Sequence, residues 1–88
     1  SSHRDCRLGK WYSSDKTKQR FGNHASYREL DRYHEQVHMS AKSAVEAYNA
    51  GNLTKAEQHL HEIEAASKQV INYINDLINV IEKERLMH

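Results

Sequence analysis

The chain has 88 residues, 38% of them hydrophobic, and a mean hydropathy of −0.96, so it buries a modest core and needs a metal, a partner chain or both. Its 13 basic and 12 acidic residues leave a net charge of +1, which gives no electrostatic case for nucleic acid or an anionic membrane. A single cysteine excludes an intrachain disulfide scaffold, and no apolar run approaches the roughly 20 residues of a membrane span. The absence of proline and the presence of only 3 glycines favour long helices over a turn-rich sandwich. Seven histidines stand beside that one cysteine.

Ser1-Ser2-His3 opens without an initiator methionine and runs straight into a patterned segment, which reads as the start of an N-terminally truncated piece of a longer protein. Residues 3–12, HRDCRLGKWY, form the first expected helix, a short one with Leu8, Trp11 and Tyr12 on one face. Gly9 within it is either a weak point or a close-packing position. Residues 13–25 are polar apart from Phe21, contain the turn signal Gly22-Asn23, and are expected to be a loop.

A second helix is expected over 26–50. Ser26 and Glu29 fit a capping box, and Tyr27, Leu30, His34, Val37, Ala41, Ala44 and Tyr48 make a heptad-like seam. Gly51-Asn52 then closes that helix and caps the next, with Thr54 and Glu57 as an alternative cap. A third helix follows over 53–85, with Leu60, Ile63, Ser67, Val70, Ile74, Leu77 and Ile81 on its seam and Ile71 and Ile78 beside it. So long a helix needs more cover than one antiparallel partner supplies, which implies further helices, a second copy or both. The fold class is therefore all-α: a single domain over residues 1–88 forming an antiparallel helical bundle of incomplete four-helix type, and dimeric.

His34 and His38 lie four residues apart, on one helix face and close enough to share a metal ion. His34 sits on the apolar seam, where a buried imidazole needs either a carbonyl partner or a metal. Cys6 is the natural third ligand, because thiolate with imidazole suits zinc; alone it reads equally as a small buried thiol. His34-Glu35-x-x-His38 also carries the HExxH letters of zinc peptidases, with Glu57, Glu62 or Glu64 as a third ligand, but no substrate cleft is in prospect and Glu35 is expected to face solvent. Arg4, Arg7 and Lys10 beside Cys6 are either a solvated face or a lure for anionic oxidants. His59, His61 and His88 read as ordinary surface histidines.

The run Cys6-Arg7-Leu8-Gly9-Lys10-Trp11-Tyr12, followed 28 residues after the cysteine by His34-x-x-x-His38, closely resembles the bacterial chemoreceptor zinc-binding domain family across essentially the whole chain. The resemblance implies a zinc site of three histidines and one cysteine. Cys6, His34 and His38 map onto three of its ligands, while the fourth belongs to a first helix with no counterpart here. His3 and His24 are the candidate substitutes. The resemblance also implies a cytoplasmic, dimeric, non-enzymatic regulatory domain attached to the signalling domain of a methyl-accepting chemotaxis receptor or a diguanylate cyclase. It would sense zinc, or oxidants such as hypochlorous acid, through a redox-reactive Cys6. The alternative drawn from the residues themselves is a metal-independent helical dimerisation module.

Overall fold

A computed structural model describes residues 3–87; His88, expected at the surface, lies outside the described residues. Four helices and no strand occur among them: α1 (Arg7–Ser13), α2 (Asp15–Phe21), α3 (Ala25–Asn49) and α4 (Leu53–Met87). The long pair α3 and α4 fold back on each other as an antiparallel hairpin, giving a rod with extents of 56 × 21 × 17 Å. The turn follows from two residues. Gly51 takes a positive φ of 79°, a conformation open to glycine at little cost, and Asn52 Oδ1 accepts from the Lys55 amide at 3.1 Å. Asn52 rather than Thr54 is thus the cap.

The expected loop over 13–25 contains a helix instead. Ser14 does the work of two caps: its amide bonds back to the Trp11 carbonyl, ending α1, while its Oγ accepts from the Thr17 amide, starting α2. Only two α2 side chains, Thr17 and Phe21, are buried, one turn apart, so the helix carries almost no apolar signal. The capping box expected at Ser26 does not form either. Helix α3 begins at Ala25 after His24, with no side-chain cap, and the Ser26 hydroxyl donates across to Asp76 Oδ2 at 3.2 Å. Helix α1 starts at Arg7, not at residue 3, and α4 runs two residues past its expected end.

The seam of α3 holds at Tyr27, Leu30, His34 and Ala44, but after Val37 it rotates so that Ser40 is buried while Ala41 and Tyr48 are exposed. On α4, Ala56, Ala66 and Leu77 are the buried positions, and Leu60, expected on the seam, is 55% exposed. Small side chains near the turn let the backbones approach closely. The larger apolar residues collect at the opposite end, where Phe21, Tyr27, Leu30 and Leu77 form the core and Leu8, Tyr12, Val70 and Ile74 pack around it. Helices α1 and α2 cover this end, held by the Arg20–Glu84 ion pair at 2.6 Å and by Tyr12, which stacks on Tyr27 with ring centroids 4.0 Å apart. Between core and turn, buried Ser40 donates to Glu62 Oε2 at 3.1 Å and accepts from Gln36 at 2.8 Å, so this polar group inside the seam is satisfied.

With so few large side chains buried, each matters. Leu77→Ala or Leu30→Ala should cost about 2–5 kcal/mol, a fall in Tm of about 10 °C or more. Exposed Gln19→Ala should change stability by less than about 0.5 kcal/mol. Thermal unfolding followed by circular dichroism reads both.

Candidate metal centre

The site begins with a backbone contact. A Cβ on Gly9 would lie 2.1 Å from the His3 carbonyl oxygen and 2.7 Å from Arg4 backbone atoms. Of the two readings of Gly9, close packing is therefore correct: its bare Cα lets the turn formed by residues 3–5 lie directly on α1. That turn delivers Cys6 to the N-cap of α1, where Sγ accepts from the Gly9 amide at 3.4 Å. The same sulfur lies 3.2 Å from the His3 carbonyl, to which the thiol donates, and 3.1 Å from His34 Nε2.

His34 and His38 come from consecutive turns of α3, with ring centroids 4.8 Å apart and planes nearly perpendicular. His34 is buried at 6% exposure; His38 and Cys6 are half-buried. Burial, with the neighbouring His38 and His3, pushes His34 below the usual imidazole pKa, so at neutral pH it is uncharged and offers a lone pair. The donor atoms of Cys6, His34 and His38 all lie within 4.8 Å of one another. A tetrahedral zinc ion with sulfur and nitrogen ligands asks for separations of about 3.4–3.6 Å. One thiol and two imidazoles at this spacing therefore fit zinc with only small side-chain adjustments, and the three can hold a metal ion.

Among the remaining candidates, His3 lies at the edge of this cluster and His24 does not. The His3 ring is buried, 5.3 Å from that of His34 and 6.3 Å from that of His38, but its Nε2 is engaged by Asp31 Oδ1 at 3.2 Å. His24 is exposed at the start of α3, its ring 6.1 Å from that of Phe21. Glu35, the glutamate of the HExxH letters, is exposed, with Oε2 3.8 Å from His3 Nε2, and stands outside the group of candidate metal ligands. Glu62 is likewise elsewhere, bonded to Ser40, and His59 lies half-buried beside it with Nδ1 3.2 Å from Glu62 Oε1. Arg4, Arg7 and Lys10 are exposed. On its open side the cluster meets a groove of about 780 Å³ whose lining includes His3, His38, Met39 and Val45.

Residues 1–45 match the family described as the chemoreceptor zinc-binding domain. The chain belongs to that family. The matched stretch takes in α1, α2, most of α3 and all three clustered ligand candidates, whereas α4 lies beyond it. No curated protein and no solved structure matches the chain. The chemoreceptor zinc-binding domain is not a known enzyme family, and among the described residues no helix is long and apolar enough to cross a membrane.

Sequence reasoning left two parts of this centre unread. Gly9 was ambiguous because only tertiary packing decides what its missing Cβ accommodates. The pairing of His3 with Asp31 was not foreseen, although Asp31 and Glu35 each precede a candidate ligand histidine by three residues on α3. The Gly9 contact yields a test in which two effects oppose. Alanine gains about 1 kcal/mol over glycine in helix propensity, but here its methyl meets backbone rather than a flexible side chain, at a cost of about 1–3 kcal/mol or more. Gly9→Ala should therefore lower Tm and speed alkylation of Cys6 by iodoacetamide.

Proposed function

We propose that this chain is a regulatory zinc-binding sensor domain rather than an enzyme, with Cys6, His34 and His38 as zinc ligands. The observation that carries the reading is the convergence of one thiol and two imidazoles, from α1 and α3, in a member of this family. Bound zinc holds a cysteine ligand as thiolate at neutral pH. Cys6 is then the group that oxidants attack. With hypochlorous acid, the sulfur electron pair takes up the oxygen, the thiolate becomes sulfenic acid, and chloride leaves, an oxidation that cellular thiols reverse.

The ligands differ in how they are held. His34 and His38 belong to a helix of 25 residues packed along α4, while Cys6 caps a helix of 7 residues. Oxidised sulfur is a poorer ligand and a different acceptor for the Gly9 amide. Losing it from the cluster loosens the start of α1 while the histidines stay in place, and the RLGKWY segment becomes the moving part. We assign the output to a signalling domain of the same polypeptide, a chemotaxis receptor, in the bacterial cytoplasm. A second copy of the chain covers the apolar side chains that α3 leaves exposed on α4, among them Leu60, Ile71 and Ile78.

Elemental analysis tests the metal: about one zinc per chain, lost in Cys6→Ala and His38→Ala. Absence of zinc from the unaltered chain, with dimerisation intact, would instead support the metal-independent helical module. A chelator should lower Tm, because binding free energy at such a site is folding free energy. Hypochlorous acid should change the fluorescence of Trp11, which is 40% exposed against Phe21, in the zinc-loaded chain but not in Cys6→Ala.

A further inference from the structure

His3 is a histidine with both ends occupied. The residue is 8% exposed, and Nε2 donates to Asp31 Oδ1 at 3.2 Å, with Glu35 Oε2 at 3.8 Å. Its carbonyl accepts from the Cys6 thiol and rests against the Cα of Gly9. The side chain therefore grips α3 while the backbone of the same residue sets the sulfur. Asp31 and Glu35 are spaced one turn apart, each three residues before a ligand candidate, so the grip falls in register with His34 and His38.

We infer that His3 is a positioning residue for the metal centre: the His3–Asp31 hydrogen bond clamps the Cys6 turn to α3 and fixes the sulfur beside His34. Beside the clamp, the turn meets α3 through the Cys6–His34 contact, the approach of Glu35 to His3 and the packing of the His3 ring on the two imidazoles. The carboxylate that engages Nε2 also explains why His3 sits close to the cluster yet outside its donor group. The clamp's metal readout rests on the reading of Cys6, His34 and His38 as zinc ligands; its thiol readout does not.

Two measurements on the chain test it. The first is the zinc dissociation constant, obtained by competition with a chromogenic chelator. His3→Ala, His3→Phe and Asp31→Ala should each weaken binding by about tenfold, as loss of an outer-shell partner does, and His3→Ala with Asp31→Ala should be no worse than either alone. His3→Phe keeps the ring in its packing position and guards against simple misfolding. His3→Gln, whose amide nitrogen can donate to Asp31, should restore binding to near that of the unaltered chain. The second is the rate of Cys6 alkylation by iodoacetamide in metal-free chain, which should rise severalfold in the same variants and return with His3→Gln.

If His3→Gln binds zinc as poorly as His3→Ala while Asp31→Ala is harmless, His3 is itself a ligand and the clamp is wrong. If Asp31→Ala leaves both affinity and alkylation rate unaltered, the clamp is also wrong. If the unaltered chain takes up no zinc yet the alkylation pattern holds, the zinc reading fails and the clamp stands.

Discussion

The missing Cβ of Gly9 is the constraint on which the site depends. Because nothing projects from that Cα, the backbone of residues 3–5 lies flat on α1 and Cys6 becomes its N-cap. A helix running unbroken from residue 3 would have carried Cys6 in its interior and left its sulfur aimed by helical geometry alone. Capping instead aims the sulfur by three partners at once: the Gly9 amide, the His3 carbonyl and His34. One absent methyl group thus connects a local backbone choice to the meeting of Cys6 with His34 and His38.

The position of the core adds a second constraint. Phe21, Tyr27, Leu30 and Leu77 gather at the end of the hairpin where α1 and α2 lie, and His34 is one turn further along the seam from Leu30. The cluster is therefore at the edge of the best-packed part of the molecule, so the histidines inherit a rigid frame. Toward the Gly51 turn the seam narrows to Ala44, Ala56 and a satisfied polar group at Ser40, which holds the helices together without adding bulk.

What could be read from the sequence divides along physical lines. Helices α3 and α4 carry strong periodicity and an explicit glycine and asparagine turn, and both appear where expected. His34 and His38 were legible because spacing by four residues on a helix fixes their relationship, and Cys6 because its neighbours resemble a known family. Helix α2 was illegible because its information is polar: a serine shared between two helix ends, and a buried threonine. Ser26 misled because a local cap competes with a tertiary partner, and Asp76 is invisible until α4 is laid against α3. The rotation of the α3 seam after Val37 follows the same logic, since a serine and an alanine give periodicity too weak to choose between adjacent faces.

These constraints limit what α1 can do when its first contact changes. Its Cys6 end is tied by polar contacts around the sulfur. Its other end is tied by the Tyr27 hydroxyl, which donates to the Tyr12 carbonyl at 2.5 Å, and by the stacking of those two rings, while Leu8 seats the first turn against the core. Burial pushes the Tyr12 and Tyr27 phenols above their usual pKa, so neither ionises near neutral pH and the second tie does not depend on ordinary changes in acidity. The sulfur therefore sits at one end of α1 and the Tyr12–Tyr27 tie at the other. In the switch proposed for Cys6, α1 would pivot about Tyr12 rather than come free, and Trp11, next to the pivot and against Phe21, would turn with it. The displacement would be largest at residues 3–6, where the turn meets α3, and smallest in the core that holds His34 in place.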